Sequence, residues 1–266
     1  MNNYETILVE REEWIGTITM NRPHRFNAMT GTMLVELARA FRQMEADPEV
    51  RVVILTGAGD AFSSGADIRD SAQALEAGEE RSEARANKSA AIGDIPVAIR
   101  DVGKPIIACI NGVAVGGGLT IALNCDVRIA SEKARFGAVF ARVGVIPELG
   151  STYTLSRIVG IAKACELVLT ARIIDAAEAK EIGMVNQLVP ADELKQATQE
   201  MARTIAKLPP FAIQMAKRGL YQGLDTDIRT QMQFEAMGLD ACFRSADHAE
   251  AVKAFLEKRE PKFEAL

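Results

Sequence analysis

Three consecutive glycines, Gly116–Gly118, constrain this chain more than any other stretch. They end the segment Asn111–Gly118, which follows an apolar, strand-like run at Pro105–Ile110 and precedes an apolar helical pattern at Leu119–Leu123. A helix that begins on glycines presents its free amide groups and the positive end of its dipole with no side chain in the way. This arrangement suits an anion, or a carbonyl oxygen that gains negative charge during a reaction. A tight turn without a ligand is the alternative interpretation.

A second turn, Ser63–Asp67, also consists of small residues between a strand-like run and a helical pattern. Two turns of this kind, brought together, offer one oxygen two backbone donors. Strand and helix patterns alternate up to about residue 190, and only helical patterns follow. This order predicts an α/β fold of recurring strand–strand–helix units, with a core region at residues 1–190 and a helical region at residues 191–266.

The spacing of apolar residues predicts the regular elements. Strands are predicted at Thr6–Glu10, Trp14–Met20, Val50–Thr56, Asp126–Ala130, Ala134–Gly137 and Met184–Val189. Helices are predicted at Thr32–Glu45, Ala91–Val102, Ser151–Val159, Ala162–Thr170, Ala176–Ile182, Leu194–Leu208, Phe211–Tyr221, Thr226–Cys242 and Asp247–Glu257. The Ala-, Glu- and Arg-rich stretch Asp67–Ser89 is predicted to form a surface helix or a cover over a site.

Composition and charge narrow the range of partners. The net charge of −5 argues against an extended nucleic-acid surface, and no apolar run approaches the length of a membrane span. The first residues lack the basic and then apolar layout of a signal peptide, so a cytoplasmic location is expected. The chain has two histidines, and its four cysteines form no Cys-x-x-Cys pair, so no metal site is expected.

Several short motifs, spread in order over nearly the whole chain, resemble those of the enoyl-CoA hydratase/isomerase (crotonase) superfamily. The motifs are Phe62–Asp67, Asn111–Gly118, Asn124–Asp126, Phe136–Gly137 and Ala254–Arg259. The resemblance implies an α/β fold of the crotonase type, a spiral of ββα units followed by a C-terminal helical region that assembles trimers, often paired into hexamers. It also implies an enzyme that binds acyl-CoA thioesters, with coenzyme A as part of the substrate and no prosthetic group.

The resemblance assigns the two backbone donors of an oxyanion hole to Ala66 and Gly117. In hydratases of this family, one glutamate stands two residues after the triple glycine and another stands three residues after the Phe-Gly pair. Thr120 and Phe140 occupy those places here. Neither side chain transfers a proton usefully, so the resemblance implies that water addition by a glutamate pair is lost.

One carboxylate remains in a catalytic position of the family, that of Glu148. The surrounding segment Gly144–Tyr153 resembles the Δ3,Δ2-enoyl-CoA isomerases, in which a single acid moves a proton between C2 and C4. Apolar neighbours, namely Phe140, Val143 and Ile146, are expected to raise the pKa of Glu148 and to exclude water. The alternative is that Glu148 is a first-turn acid that stabilises a helix dipole.

The resemblance also implies a binding site for coenzyme A. It assigns the nucleotide to Arg25, Phe26 and Ala28, and the pantetheine to Ser64, Ala66 and Ile68. Asp67, on the same segment, is also assigned to the coenzyme A site, although capping a helix or pairing with an arginine is an alternative role. Phe255 and Lys258 are expected to reach the site from a neighbouring subunit.

Enoyl-CoA isomerisation is therefore the predicted chemistry, and two kinds of alternative stay open. One is another reaction of this superfamily through Glu148, namely hydration, or dehalogenation or hydrolysis of an acyl-CoA. The other is a member without turnover that binds coenzyme A or RNA. The expected partners are an acyl-CoA and further copies of the chain in a trimer or a dimer of trimers, with no membrane; the acidic charge counts against RNA.

Overall fold

The computed structural model describes residues 4–69 and 95–263 of the 266-residue chain. The predicted surface helix or cover at Asp67–Ser89 lies, from residue 70 onward, outside the described residues. Within the described ranges, no helix combines the length and the apolar character that crossing a bilayer requires.

Strands and helices alternate through the first part of the described chain, as the sequence predicts. The strands are β1 (Ile7–Glu12), β2 (Ile15–Met20), β3 (Val52–Gly57), β4 (Ala61–Ser63), β5 (Ile106–Ile110), β6 (Val113–Val115), β7 (Val127–Ser131), β8 (Arg135–Gly137), β9 (Ile173–Asp175) and β10 (Gln187–Val189). The helices are α1 (Gly31–Ala46), α2 (residues 95–101), α3 (Gly117–Asn124), α4 (Ser151–Val159), α5 (Ile161–Thr170), α6 (Ala176–Glu181), α7 (Leu194–Ala206), α8 (Pro210–Gln222), α9 (Ile228–Phe243) and α10 (Ala246–Glu257). Single 3₁₀ turns lie at Pro23–Arg25 and Val139–Val143.

The strands form two sheets, and the chain alternates between them. The larger sheet has the order β1-β2-β3-β5-β7-β10 and the smaller one β4-β6-β8-β9. All pairs are parallel except β1 with β2 and β8 with β9. From β3 to β8, each strand of the larger sheet is followed by one of the smaller sheet, and α2 and α3 follow the first two such pairs. The alternation confirms the predicted spiral of strand–strand–helix units.

Both faces of the larger sheet are covered, which explains why its central strands are apolar throughout. All five residues of β5 are buried, as expected for a parallel strand between two layers. On one face, α1 contributes Met33, Leu37 and Phe41 to the main core. On the other face, α7 buries Leu194, Ala202 and Ala206 against residues of β3 and β5. The division of the chain after residue 190 stays a prediction.

The last three helices keep large apolar side chains at the surface of the chain. Those more than half exposed are Leu220, Ile228, Met232, Met237, Leu239, Phe243, Phe255 and Leu256. Single scattered apolar residues are normal on a protein surface, but a group of this size is typical of an interaction surface.

The sequence analysis missed three of the five three-residue strands that the structure describes. The predicted turn Asn111–Gly118 contains β6 at Val113–Val115, and neither β4 nor β9 was predicted. Each of these strands has three residues, too few for an alternating pattern to show, and each is stabilised by pairing with a strand that is distant in sequence.

Candidate active site

The two turns predicted to face each other are in backbone contact. Gly65 lies so close to the glycine turn that a Cβ atom placed on it would be 2.8 Å from the carbonyl oxygen of Val115 and 3.2 Å from the amide nitrogen of Gly117. A Cβ atom on Gly118 would clash with the carbonyl oxygen of Ser63. The small residues in both turns are therefore required by close packing of the two backbones.

The amides of Ala66 and Gly117 have no acceptor among the residues that the structure describes. Met29 pairs with the segment around Ala66 as in a parallel ladder, since it donates to Gly65 O at 2.8 Å and accepts from the amide of Asp67 at 2.9 Å. Backbone groups alternate in such a ladder, so the Ala66 amide points away from Met29. Gly117 is the first residue of α3, where an amide has no partner within the helix. Both predicted donors are thus available to a ligand.

Glu148 lies beside this turn. It belongs to the loop between the 3₁₀ turn Val139–Val143 and α4, and its Oε1 is 3.9 Å from the point where a Cβ atom on Gly117 would stand. The loop turns sharply after Glu148, because Leu149 and Gly150 have left-handed φ angles of +55° and +78°. The fold therefore brings together the three residues that the sequence analysis named as catalytic.

The carboxylate of Glu148 is half-buried and has no hydrogen-bond or ion-pair partner within residues 4–69 and 95–263. Burial raises its pKa above the ordinary glutamate value of 4.5. The alternative role as a first-turn helix acid is wrong, because α4 begins at Ser151 and has no acidic residue in its first turn. A carboxylate that is removed from water without a compensating partner is typical of a functional site.

The expected apolar surroundings of Glu148 are only partly correct. Phe140 is buried, but Val143 is 57% and Ile146 80% exposed, so these two do not shield the carboxylate as predicted. Val143 ends the 3₁₀ turn and Ile146 lies in the loop after it, and Gly144 between them has a left-handed φ of +71°. Thr120 is fully buried and donates to the carbonyl oxygen of Gly116 at 3.3 Å, which is the helix-internal role expected for it.

The segments assigned to coenzyme A lie side by side. The amide of Ser64 donates to Phe26 O at 2.9 Å, and the Ser64 hydroxyl lies 3.4 Å from Arg25 O. Asn27 fixes this loop, because its buried side chain donates to the carbonyl oxygens of Ala58 and Ala61 at 2.9 and 2.8 Å. The loop at residues 22–29 and the turn at residues 63–67 thus form one surface next to the amide of Ala66.

The residues predicted to contact coenzyme A differ in exposure. Arg25 and Ile68 are exposed, Phe26 is 61% exposed, and Ser64 is half-buried. Ala28 is buried, so within one chain it offers a ligand little beyond its backbone. An exposed aromatic ring next to an exposed guanidinium is suited to a nucleotide, which combines a planar base with phosphates.

Asp67 pairs with Arg22 at a distance of 3.0 Å. Partial burial alone would raise the pKa of Asp67, but the hydrogen bonds from Arg22 and from the amide of Arg69 outweigh it and lower the pKa. Arg22 also donates to Ala28 O at 2.5 Å. These contacts favour the alternative role for Asp67, an ion pair that ties the two segments together.

Phe255 and Lys258 are not joined to these segments by any hydrogen bond or ion pair within the described part of one chain. Phe255 lies on α10 and is 82% exposed, and Lys258 is exposed at the end of the same helix. Their predicted contribution from a neighbouring subunit stays a prediction.

Sequence reasoning missed two residues that line the site. A Cβ atom on Gly117 would be 2.6 Å from Met29 Cε and 3.2 Å from Leu149 Cδ1, so both side chains pack against the glycine turn. Met29 follows the loop that the resemblance assigned to coenzyme A, and Leu149 follows Glu148, so adjacency to assigned residues was the one available signal.

Comparison with known proteins gives consistent results over nearly the whole chain. A family model described as enoyl-CoA hydratase/isomerase matches residues 10–265. The chain is 38% identical over 255 residues to a short-chain-enoyl-CoA hydratase of Clostridium acetobutylicum, with 95% of each chain covered. It is 34% identical over 259 residues to a 1,2-epoxyphenylacetyl-CoA isomerase of Escherichia coli, with 97% of this chain and 98% of the relative covered. The fold is similar to a crystal structure of an enoyl-CoA hydratase from Bacillus anthracis, with a TM-score of 0.92, 34% identity, and coverage of 98% of this chain and 99% of that one.

Proposed function

The chain belongs to the enoyl-CoA hydratase/isomerase family of enzymes that act on acyl-CoA, and on that premise we propose that it moves the double bond of an enoyl-CoA from the Δ3 to the Δ2 position. The observation that carries the proposal is the half-buried carboxylate of Glu148, which has no partner among the described residues and lies next to Gly117.

The proposed reaction uses Glu148 twice. Its carboxylate takes a proton from C2 of a 3-enoyl thioester, and the electron pair of that C–H bond moves into a dienolate. The same carboxyl group then gives a proton to C4, which leaves the double bond between C2 and C3. One acid suffices, because the proton count of the enzyme is the same before and after the reaction.

The dienolate carries its negative charge on the thioester oxygen. The amides of Ala66 and Gly117, which have no acceptor among the described residues, are the proposed donors to that oxygen. Donors fixed in advance stabilise the charge that develops in the transition state more than they stabilise the neutral substrate. The raised pKa of Glu148 supports the first half of the reaction, because a stronger base removes the C2 proton more readily.

The residues at the two glutamate places of the hydratases support isomerisation over hydration by a glutamate pair, because Thr120 and Phe140 stand there. The hydroxyl of Thr120 donates to Gly116 O, and the side chain of Phe140 is a buried hydrocarbon. Neither group can activate the water molecule that adds to C3 or protonate C2.

We extend the proposal to substrate binding and assembly. The exposed Arg25 and Phe26 are the proposed contacts for the nucleotide of coenzyme A, and Ser64, Ala66 and Ile68 line the proposed path of the pantetheine. The exposed apolar side chains of α8, α9 and α10 are proposed to be covered in a trimer or a dimer of trimers, in which Phe255 and Lys258 approach a neighbouring site.

Hydration of a 2-enoyl-CoA with Glu148 as the one acid is the second candidate. The names of similar proteins favour it, because more of them are hydratases than isomerases. In this alternative, Glu148 both activates water and protonates C2, with the same two backbone donors.

Incubation with 3-enoyl-CoA and, separately, with 2-enoyl-CoA distinguishes the two candidates. We expect 3-enoyl-CoA to be converted to 2-enoyl-CoA, and hydration of 2-enoyl-CoA to be much slower. Hydration at a rate equal to or above that of isomerisation would overturn the proposal. With a substrate deuterated at C2, part of the label is expected at C4 of the product, whereas its complete absence from C4 contradicts a single proton carrier.

The substitution Glu148→Gln tests the role of the carboxylate. It removes the base but keeps the size of the side chain, so the rate is expected to fall by about 10²–10⁴-fold while acyl-CoA binding persists. Glu181→Gln is the matched control, because Glu181 is an exposed glutamate at the end of α6. Equal activity of the two variants would contradict the proposal.

A further inference from the structure

The side chain of Asn124, the last residue of α3, connects that helix to the Glu148 loop. Asn124 is 3% exposed. Its Nδ2 donates to the carbonyl oxygen of Thr120 at 2.9 Å, within the same helix, and to the carbonyl oxygen of Leu149 at 3.3 Å. Leu149 directly follows Glu148, so the second hydrogen bond reaches the peptide next to the proposed catalytic residue.

Arg100 fixes the orientation of this amide. Arg100 Nε donates to Asn124 Oδ1 at 3.3 Å. A guanidinium can only donate and a carbonyl oxygen can only accept, so both sets of partners require the same orientation of the Asn124 amide. An amide held at both ends does not exchange its donor for its acceptor, and Leu149 keeps a donor on its carbonyl group.

Arg100 in turn contacts Tyr221, a residue of the C-terminal helix α8. Its guanidinium lies 4.0 Å from the centre of the Tyr221 ring, and the Tyr221 hydroxyl donates to Asp126 at 2.6 Å. Tyr221 belongs to α8, so a chain of contacts runs from α8 through Arg100 and Asn124 to Leu149.

Leu149 is the point at which the Glu148 loop most needs support. It is a non-glycine residue with a left-handed φ of +55°, a conformation that costs of order 1 kcal/mol or more unless the surroundings stabilise it. Its side chain is buried against the glycine turn, and its carbonyl oxygen accepts from Asn124. Loss of that hydrogen bond would let the loop relax and move the Glu148 carboxylate away from Gly117.

We propose that Asn124 is a positioning residue, oriented by Arg100, that holds the Glu148 loop against the glycine turn. The catalytic consequence rests on the proposed function, whereas the effect on the loop does not. Asn124 touches neither substrate nor reacting atoms; it acts through the backbone of Leu149.

The substitution Asn124→Leu keeps a similar volume and removes the donors. We expect kcat for isomerisation to fall by about 10- to 100-fold with KM within about threefold, because a displaced carboxylate affects the transition state more than binding. Hydrogen–deuterium exchange of the peptide spanning residues 145–155 is expected to become faster, since the loop loses an anchor.

Two further variants separate positioning from simple destabilisation. Thr198→Val removes another buried side-chain hydrogen bond to a helix carbonyl, the 2.8 Å contact with Leu194 O, from α7. It is expected to lower stability while leaving kcat and the exchange of residues 145–155 unchanged. Arg100→Met, in which Asn124 remains, is expected to shift both readouts in the same direction as Asn124→Leu but less, and Arg100→Lys to restore them in part.

The outcomes distinguish this inference from the proposed function. If the unaltered protein isomerises 3-enoyl-CoA and Asn124→Leu changes neither kcat nor the exchange of residues 145–155, the positioning role is wrong and the proposed function stands. If no isomerisation is found in the unaltered protein, the proposed function fails, and the exchange experiment alone decides whether Asn124 holds the loop. If Asn124→Leu does not fold, Arg100→Met decides by the same criterion.

Discussion

Two carboxylates near the ends of α3, those of Asp126 and Glu148, have opposite surroundings. Asp126 accepts from the amide of Ile106 at 2.7 Å, from Lys217 Nζ at 2.7 Å and from the hydroxyl of Tyr221 at 2.6 Å. Glu148 has no such partner among the described residues, although it is also partly removed from water. The same kind of group is therefore fully paired in one place and left unpaired in the other.

This difference indicates a structural role for Asp126 and a chemical role for Glu148. Asp126 ties α8 to the larger sheet, because Lys217 and Tyr221 belong to that helix and Ile106 to β5. For Glu148, burial costs free energy that no partner offsets, and a chain keeps such a residue where reactivity is needed rather than stability. Substitution of Asp126 or Lys217 should therefore change the free energy of unfolding, and substitution of Glu148 or Gly117 should change rates.

The largest expected effect on rate, apart from loss of Glu148 itself, follows from Gly117→Val. The new side chain would start 2.6 Å from Met29 Cε, 3.2 Å from Leu149 Cδ1 and 3.9 Å from Glu148 Oε1. We expect kcat/KM for 3-enoyl-CoA to fall by about 10²–10³-fold, the loss typical of one oxyanion-hole donor. Steady-state kinetics on the folded variant gives the measurement.

Gly31→Val is the matched control for this substitution. Gly31 opens α1, is exposed, and has no atom within 4 Å of the point where its Cβ would stand. The kcat/KM of Gly31→Val should stay within about twofold of that of the unaltered protein, because this substitution changes only the helix propensity of α1. A comparable loss in both variants would mean that glycine at 117 serves folding rather than a ligand.

Asp126→Asn tests the paired side of the comparison. It leaves the buried Lys217 without its counter-charge, so the free energy of unfolding is expected to fall by about 3 kcal/mol while kcat changes by less than about fivefold. Chemical denaturation combined with kinetics on the folded protein measures both quantities.

The double variant Asp126→Asn with Lys217→Met sharpens this test. Because the double variant also removes the unpaired ammonium group of Lys217, it should be more stable than Asp126→Asn alone. A rate loss in Asp126→Asn as large as that in Gly117→Val would remove the distinction between the two carboxylates.

The sequence predicts most of this arrangement where local patterns determine it. The glycines before α3 and the small residues around Gly65 are recognisable, because close backbone contact excludes side chains at those positions. The long strands and helices follow from apolar periodicity, and the spiral follows from their order.

What the sequence does not reveal depends on contacts between distant segments. The left-handed conformation of Leu149 has no signal of its own, because leucine is uncommon in that region of backbone space. Met29 contacts the glycine turn only after the loop at residues 22–29 has paired with the turn at residues 63–67. The exposure of Val143 and Ile146 likewise depends on the path of a loop, which hydrophobicity alone does not determine.

The pH dependence separates the two carboxylates in a second way. Burial raises the pKa of Glu148 above 4.5, so kcat/KM should rise with pH along an acidic limb that lies above the ordinary glutamate range. A group with a raised folded-state pKa contributes to stability below its unfolded pKa, and that contribution is lost as the pH rises through the folded pKa. At pH 7, Glu148→Gln should therefore be slightly more stable than the unaltered protein, an advantage that disappears towards pH 4.

The kinetic and denaturation profiles from pH 4 to 8 measure this prediction, with Glu181→Gln as the reference for an exposed glutamate. Greater stability of the unaltered protein at pH 7 would show that Glu148 has a stabilising partner, and the contrast with Asp126 would then be one of degree.

The smallest expected effect concerns Thr120, which stands where hydratases of the family have a glutamate. Its hydroxyl is buried and contacts Gly116 O at a long 3.3 Å, so Thr120→Val should cost about 1 kcal/mol or less in unfolding free energy and leave kcat within about threefold. Thr198→Val, which loses a shorter contact of 2.8 Å in α7, should be at least as destabilising and equally active. A selective loss of kcat in Thr120→Val would instead assign the hydroxyl to substrate or to a water molecule, and Glu148 would no longer be the sole side chain that acts in the proposed reaction.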